Sequence, residues 1–260
     1  MDTRGIILAA GRGSRMGTLT NTQPKCLLSL GGRTLLDWQL AAFRDAGITR
    51  VAIVTGYQAE QLATRVPDTF HNPAWATTNM VLSLTCARDW LTRFPCIVCY
   101  ADITMEAAML HKLNATRAEL AITSHTCWRK IWEARFANPL LDAETFCTDP
   151  DGYLLDIGGR TDDIEQIQGQ FMGLLRFQPG GWERVEHVLH TLPAPDRQRL
   201  DMTGLLIRLI RTGWKIPAVP VTGLWMELDR IEDKFLYDQL FESGDMGMFH
   251  EIVPGRLHSN

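Results

Sequence analysis

The stretch IILAAGRGSRM, residues 6–16, decides the fold, and QPK follows at residues 23–25. An apolar run of strand length leads directly into a loop with two glycines and two arginines, and a lysine follows ten residues after Arg15. Glycines allow backbone N–H groups to approach an oxyanion closely, and cationic side chains neutralise its charge. The stretch therefore predicts a buried strand that ends in a phosphate-binding loop.

Three other interpretations of this loop have to be weighed. A dinucleotide-binding loop would read G-x-G-x-x-G, but Gly17 comes one residue late and Asp37 falls within a helical pattern. A Walker A loop would need G-x-x-x-x-G-K-[ST], which is absent from the sequence. An ordinary glycine-rich turn is the simplest alternative, and the combination of Arg12, Arg15 and Lys25 argues against it.

The pattern L-A-A-G-x-G-[ST]-R followed by P-K resembles the signature of the nucleotidyltransferases that activate sugar phosphates, choline phosphate and phosphonates. The resemblance implies a Rossmann-like, three-layer α/β nucleotidyltransferase fold with a mostly parallel central sheet. It also implies that Arg15 counters the charge of the nucleotide phosphates and that Lys25 reaches the transferred phosphate and the attacking group. The nucleotide-binding residues that it implies are Ala9, Ala10, Gly11, Gly13, Ser14, Asn79 and Tyr100.

Composition and charge narrow the function classes. The chain has 260 residues, of which 45% are hydrophobic and 22% charged, which is typical of a globular protein. A net charge of −4 provides no domain-wide basic surface for nucleic acid. The early apolar run is too short to span a bilayer and enters a functional loop, unlike a signal peptide. We therefore expect a cytoplasmic protein with reduced thiols and with neither a nucleic-acid nor a membrane partner.

Cys96 and Cys99 form an isolated C-x-x-C pattern within a strand-like segment. A zinc site would need a second pair, and a redox motif would open a helix. The pattern therefore favours buried strand cysteines.

Hydrophobic periodicity predicts alternating strands and helices, and hence a parallel sheet with right-handed crossovers. After the first strand, the predicted strands are residues 50–55, 96–101, 118–124, 216–221 and 224–228. The predicted helices are residues 34–46, 58–65, 80–87, 105–116, 181–192, 202–212 and 231–241. We expect one domain, residues 1–260; the sequence leaves its oligomeric state open, with a homodimer among the alternatives. Residues 126–177 would form a small antiparallel insertion with a turn at 149–152, on the side of the sheet where the acceptor, the molecule that receives the transferred group, would bind. Residues 245–260 would form a tail.

Acidic residues follow two of the predicted strands. Asp102 ends one strand, at the sheet edge where open α/β folds bind ligands. Glu227 and Asp229 are two residues apart, so on a strand they would project from one face and repel unless a cation or proton lay between them. Alternatively, Asp102 only forms a turn, and one of the pair binds Arg230 or caps the next helix. The resemblance assigns Mg²⁺ to Asp102 and Asp229, with Glu227 close by, and Mg²⁺ needs few protein oxygens.

Two further segments bear on ligand binding. Asn79 begins a predicted helix, so it either caps that helix or contacts the nucleotide, and both alternatives stay open. The sequence WRKIW at residues 128–132 interleaves cations with aromatic rings. It suits either an acidic or an ammonium group on an acceptor, or it is a basic surface turn with packed tryptophans. Trp75 and Trp225 could belong to the same aromatic cage.

Residues 156–160, 168–177 and 201–206 resemble a narrower branch, the cytidylyltransferases that act on choline phosphate and on phosphonates such as 2-aminoethylphosphonate. One departure is that Gly159 and Arg160 stand where this branch commonly has a lysine, so the contact geometry would differ. The acceptor-binding residues expected on these grounds are Lys130, Arg160, Gln170 and Trp225.

The sequence therefore predicts a Mg²⁺-dependent cytidylyltransferase that transfers CMP from CTP to a phosphonate or phosphomonoester, of the 2-aminoethylphosphonate or phosphocholine class, and releases pyrophosphate. A sugar-1-phosphate nucleotidylyltransferase that uses UTP or dTTP is the nearest alternative. A non-catalytic nucleotide-binding sensor would not require the metal carboxylates. A NAD-dependent oxidoreductase is disfavoured by the misplaced third glycine.

Overall fold

The computed structural model describes residues 2–247. The strands are β1 (Arg4–Ala9), β2 (Ser29–Leu30), β3 (Arg33–Thr34), β4 (Val51–Thr55), β5 (Asp68–His71), β6 (Cys96–Tyr100), β7 (Leu120–His125), β8 (Phe146–Thr148), β9 (Leu154–Ile157), β10 (Gln170–Phe177) and β11 (Ala218–Val221). The α-helices are α1 (Leu35–Asp45), α2 (Glu60–Ala63), α3 (Met80–Thr85), α4 (Arg88–Leu91), α5 (Ala107–Asn114), α6 (Trp128–Arg135), α7 (Pro179–Thr191), α8 (Ala194–Arg199), α9 (Met202–Arg211) and α10 (Ile231–Ser243). Short 3₁₀ helices cover Ser14–Thr20, Lys25–Leu27, Pro139–Leu141 and Ile164–Gln166.

In the described part of the chain, seven strands form the central sheet, in the order β11-β7-β10-β6-β1-β4-β5. Strand β10 runs antiparallel to both of its neighbours, whereas the other adjacent pairs are parallel. In register, Ile7 of β1 lies opposite Ile53 of β4 and Cys99 of β6. The predicted α/β architecture with a mostly parallel sheet is confirmed.

Helices cover both faces of this sheet and make three layers. Alternate residues of a strand point to opposite faces, so Ile7 and Ala9 pack with α1, α5, α6 and α10, while Ile6 and Leu8 pack with α3, α4, α7 and α9. Burial on both faces explains why the strands read as continuous apolar runs. Strand β1 is therefore central, and the loop that follows it leaves the sheet at its carboxyl edge.

The predicted turn at residues 149–152 is confirmed as the connection of the β8–β9 hairpin. The Asp149 side chain accepts hydrogen bonds from the backbone N–H groups of Asp151, at 3.0 Å, and Tyr153, at 2.8 Å. Strand β10, which the prediction placed within the insertion at 126–177, instead joins the central sheet between β6 and β7. The antiparallel insertion beside the main sheet is therefore this small hairpin.

One predicted strand is wrong. Residues 224–228 form no regular strand and make a single antiparallel bridge, between Glu227 and Ile103. Trp225, Met226 and Leu228 of this segment are buried in the core cluster that also contains residues of α6 and α10, so apolar character here reflects burial rather than strand pairing. The predicted tail at 245–260 lies outside the described residues beyond residue 247.

The C-x-x-C cysteines lie in β6 as predicted. Cys96 and Cys99 are buried and free, and burial raises the pKa of the Cys96 thiol to about 12. Within residues 2–247, none of the helices has the length and apolar character needed to cross a membrane.

Candidate active site

The loop after β1 depends on Gly13. Its backbone is left-handed, with φ of 69°, and begins the 3₁₀ helix Ser14–Thr20. A Cβ atom at this position would lie 3.0 Å from the Lys25 side chain. Glycine is therefore required twice, once for the backbone conformation and once because Lys25 packs directly against the loop.

A cavity of about 280 Å³ opens between this loop, the start of α3 and the end of β6. Its lining residues are Leu8, Ala9, Ala10, Gly11, Gly13, Arg15, Lys25, Cys26, Trp75, Thr78, Asn79, Met80, Ser83, Tyr100, Ala101 and Asp102. The predicted nucleotide-binding residues thus share one cavity, apart from Ser14, which is not among the residues that line it. The cavity lies at the carboxyl ends of β1 and β6, where open α/β sheets bind ligands.

Lys25 joins two distant carboxylates at the mouth of this cavity. Its Nζ donates to Asp102 Oδ2 at 2.8 Å and to Asp229 Oδ1 at 3.1 Å. Arg15 Nη2 donates to the same Asp229 oxygen at 2.9 Å. The Lys25 side chain is 10% exposed and that of Arg15 is 67% exposed, so the two cations differ in how far they can move toward a ligand. Side chains from three parts of the chain therefore converge on one point.

Charge keeps the Lys25 ammonium protonated. Burial alone would lower the pKa of Lys25, but the charges and hydrogen bonds of Asp102 and Asp229 outweigh it and raise the pKa above the usual 10.5. The other oxygen of Asp102, Oδ1, is buried without a hydrogen-bond partner. A buried carboxylate oxygen without a donor is disfavoured unless a cation or a ligand completes its environment.

The donor set fits Mg²⁺ better than a metal that needs many protein ligands. Among residues 2–247, no group of three or more His, Cys, Asp or Glu side chains is arranged to hold a metal ion. Asp102 and Asp229 supply two carboxylates within reach of one ammonium, and Mg²⁺ typically uses one or two carboxylates together with water and phosphate oxygens.

Backbone pairing between two loops holds the carboxylates together. The N–H of Leu228 donates to the carbonyl of Asp102 at 2.9 Å, and the N–H of Thr104 donates to the carbonyl of Met226 at 2.8 Å. The Thr104 hydroxyl in turn accepts the Met226 N–H at 2.9 Å. Asp229 is thereby placed next to the end of β6, although more than a hundred residues separate the two segments.

Gln39 is a supporting residue that the sequence prediction missed. It lies on the buried face of α1 and donates from Nε2 to the carbonyls of Tyr100, at 2.7 Å, and Ile103, at 2.8 Å. These bonds fix the loop that carries Asp102. The sequence signal that could have revealed Gln39 is a polar side chain within the apolar stripe of an amphipathic helix.

Glu227 differs from its predicted orientation. Its Oε2 accepts from Arg135 Nη1 at 3.0 Å, whereas the neighbouring Asp229 faces Lys25 and Arg15. The argument that the two carboxylates share a strand face is wrong, because this segment is not a strand. Burial and the charge of Asp229 raise the pKa of Glu227 to about 8, against the opposing effect of Arg135.

Asn79 is a helix cap that also lines the cavity. Its side-chain oxygen accepts the Met80 N–H at 2.7 Å, and its Nδ2 donates to the carbonyl of Arg199 at 3.1 Å. The capping alternative is therefore confirmed, while contact with a nucleotide stays a prediction.

Two predicted acceptor residues bind one loop. Arg160 Nη1 donates to the carbonyls of Asp142, at 2.6 Å, and Ala143, at 3.1 Å. Gln170 is buried and donates to the carbonyl of Glu144 at 2.6 Å. The departure at Gly159 also has a local cause, since a Cβ atom there would lie 2.8 Å from the Thr145 hydroxyl.

The predicted aromatic cage is wrong for three of its tryptophans. Trp225 is 1% exposed and packs between the rings of His125 and Trp132, with centroid distances of 5.2 Å to each. Trp128 and Trp132, on the buried face of α6, are 3% and 4% exposed. Only Trp75 of this set lines the cavity, and Lys130 lies on the exposed side of α6 outside that lining.

Comparison with known proteins agrees with this geometry. Residues 5–145 match the model of the MobA-like NTP transferase domain. The chain is 33% identical over 247 residues to the CTP:phosphoglutamine cytidylyltransferase of Campylobacter jejuni, covering 88% of this chain and 96% of that one. It is 35% identical over 121 residues to the 2-aminoethylphosphonate cytidylyltransferase of Lancefieldella rimae, covering 45% and 49% of the two chains.

A solved structure shares the fold. The CTP:phosphocholine cytidylyltransferase of Streptococcus pneumoniae superimposes with a TM-score of 0.70 over 92% of this chain and 99% of that chain, at 17% identity. The three-layer architecture and the mostly parallel sheet are thus those of a nucleotidyltransferase fold. With the phosphate-loop motif, the cavity and the family match taken together, the chain belongs to the MobA-like NTP transferase family and is a nucleotidyltransferase.

Proposed function

We propose that this protein is a Mg²⁺-dependent cytidylyltransferase that transfers CMP from CTP to a small phosphonate or phosphomonoester carrying an amino or ammonium group. The observation that carries the proposal is the Lys25 ammonium between Asp102 and Asp229, beside the phosphate loop. The choice of CTP is supported by the names of the two relatives, both of which are cytidylyltransferases.

In this proposal the chain acts mainly by positioning and by neutralising charge. The loop around Gly11 and Gly13 binds the triphosphate, and Arg15 and Lys25 move from the Asp229 carboxylate toward its oxygens. Asp102 and Asp229 would hold Mg²⁺, which when bound neutralises and orients the phosphate oxygens.

The reaction itself requires no dedicated general base. An acceptor oxygen forms a bond to the α-phosphorus of CTP, the bond from that phosphorus to the bridging oxygen breaks, and pyrophosphate leaves. A phosphate monoester carries close to two negative charges near neutral pH, since its second pKa is about 6, so it attacks without losing a proton. Lys25 would keep its proton throughout, in agreement with its raised pKa.

The charge of the acceptor side supports an acceptor with a cationic group. Burial, followed by the charges of Asp102, Asp201, Glu227 and Glu144, raises the pKa of the cavity-lining Tyr100; among these four carboxylates, Asp102 alone also lines the cavity. An ammonium group would be attracted to this negative charge. The name of the relative that acts on 2-aminoethylphosphonate is in keeping with this charge.

The test is a pyrophosphate-release assay with a matched pair of acceptors. We expect turnover with CTP plus 2-aminoethylphosphonate, and at least about tenfold lower kcat/KM with propylphosphonate, in which a methyl group replaces the ammonium. Phosphocholine tests whether a quaternary ammonium is accepted. Equal turnover of the two phosphonates would exclude recognition of the cationic group.

The choice of nucleotide is tested in the same assay with UTP, dTTP and GTP in place of CTP. Equal or better turnover with UTP or dTTP, especially with a hexose 1-phosphate as acceptor, would overturn the cytidylyl assignment in favour of a sugar-1-phosphate nucleotidylyltransferase. Nucleotide binding without pyrophosphate release from any acceptor would favour a sensor.

A further inference from the structure

A buried ion pair lies directly behind Asp229. Arg135 donates from Nε to Asp233 Oδ1 at 3.0 Å and from Nη2 to Asp233 Oδ2 at 3.1 Å. Both side chains are 0% exposed. Buried ion pairs contribute little net stability, because desolvation offsets most of their attraction. Stability alone therefore gives a weak reason for two full charges at this place.

The same pair organises the backbone that carries Asp229. Asp233 Oδ2 accepts the N–H of Asp229 at 3.0 Å and the N–H of Arg230 at 2.9 Å. No strand ladder runs through residues 224–230 as described, so these bonds take the place of regular pairing at this turn. The third donor of Arg135, Nη1, binds Glu227 at 3.0 Å. One guanidinium thus anchors both ends of the segment 227–229.

We propose that Arg135 and Asp233 are positioning residues that fix the Asp229 carboxylate in reach of Lys25 and of a divalent cation. This inference rests on the proposed function, and neither residue lines the cavity or touches the reacting groups. Without the pair, the turn at Asp229 loses its two backbone acceptor bonds. The Asp229 carboxylate then spends less time in reach of Lys25 and of the cation, and kcat falls accordingly.

The test compares Arg135→Lys and Asp233→Asn with Arg176→Lys. Lysine at 135 keeps the charge but loses the fork that binds Asp233 and Glu227 together. Arg176 is a matched control, because it is also buried but lies toward the opposite end of the sheet, where it binds Asn114 and the carbonyl of Ala118.

Four quantities are measured for each variant: the melting temperature, kcat, KM for CTP, and Mn²⁺ affinity by the electron paramagnetic resonance signal of free Mn²⁺. We expect kcat and Mn²⁺ affinity to fall about 10- to 100-fold in Arg135→Lys and Asp233→Asn. KM for CTP should stay within about threefold, because the phosphate loop is untouched. Arg176→Lys should lower the melting temperature alone.

Each outcome of these measurements supports or contradicts the positioning role of Arg135 and Asp233. If Arg135→Lys and Asp233→Asn lose only stability, as Arg176→Lys does, the pair is structural and the inference is wrong. The same holds if both variants fail to fold where Arg176→Lys folds. If the wild type binds Mn²⁺ but shows no turnover, the proposed function fails, while the effect of the variants on Mn²⁺ affinity still tests the positioning role. A wild type that neither binds Mn²⁺ nor turns over overturns both.

Discussion

The two sides of the proposed site are built in different ways. On the nucleotide side, Gly13, Arg15 and Lys25 come from one short stretch after β1, and Lys25 meets Asp102 and Asp229, which lie 77 and 204 residues away in the chain. On the side that the proposed function assigns to the acceptor, Glu144 lies outside the cavity lining, in a loop whose backbone Arg160 and Gln170 bind from 18 and 26 residues further along the chain. A contiguous motif thus reaches distant carboxylates on the nucleotide side, whereas the acceptor side is held by contacts of shorter range in the chain.

This difference predicts that variants of the two sides affect the kinetic constants of different substrates. Changes on the nucleotide side should reduce turnover with every acceptor, because they alter the common step at the α-phosphorus. Changes on the acceptor side should alter KM for the acceptor and leave KM for CTP unchanged.

The largest effect is expected for Lys25→Met. Loss of a buried ammonium that faces both Asp102 and Asp229 should lower kcat about 10³-fold, as removal of a preorganised electrostatic group commonly does. Pyrophosphate release at saturating substrates measures it. Lys112→Met, at an exposed position of α5, is the control and should stay within about twofold of the wild type. If Lys25→Met kept more than about a tenth of the activity, Lys25 would not act on the reacting phosphate.

A smaller loss is expected for Arg15→Ala. Arg15 is largely exposed and holds one carboxylate oxygen, so we expect kcat/KM for CTP to fall about 10- to 100-fold. Salt screens exposed charges, so the difference from the wild type should shrink as ionic strength rises. Arg44→Ala, at an exposed arginine paired with Asp45, serves as the control. A loss as large as that of Lys25→Met would remove the distinction between the two cations.

Glu144→Gln tests the proposed acceptor side. We expect KM for 2-aminoethylphosphonate to rise about tenfold, with KM for CTP unchanged, because the variant removes one charge that attracts the ammonium. Glu165→Gln, at a residue whose exposed carboxylate pairs with Arg129, should change neither constant. A change in KM for CTP alone would mean that the nucleotide side and the proposed acceptor side do not act separately.

The smallest effect concerns the stability of the same variant. Burial raises the pKa of Glu144; Arg160 opposes this, while Asp201 and Asp142 reinforce it. As pH rises above 4.5, the unfolded chain releases this proton before the folded chain does, so the wild type loses stability. Glu144→Gln should therefore melt at a higher temperature than the wild type at neutral pH and at the same temperature in acid. Thermal melts at the two pH values measure this, and a lower melting temperature at neutral pH would contradict it.

Several site residues could be predicted from local sequence because their neighbours along the chain position them. The apolar run before Gly11 forms a central strand, and Gly13 in the loop after it has the left-handed backbone that favours glycine. Asp102 follows a second buried strand, and parallel strands that share an edge bring their carboxyl ends together. Supporting residues leave a fainter signal: Gln39 and Arg135 are polar residues on the buried faces of α1 and α6.

By itself, the sequence determined the mostly parallel α/β fold, the phosphate loop with Arg15 and Lys25, and the position of Asp102 at the end of a neighbouring strand. Only the tertiary structure decided that Glu227 turns to Arg135 while Asp229 turns to Lys25, and that Trp225 lies in the core. The physical reason is the distance along the chain over which each kind of interaction acts. Periodicity and turn chemistry fix side chains relative to a few neighbours in the chain, whereas the direction of these residues follows from backbone bonds and burial between segments that meet only when the chain folds.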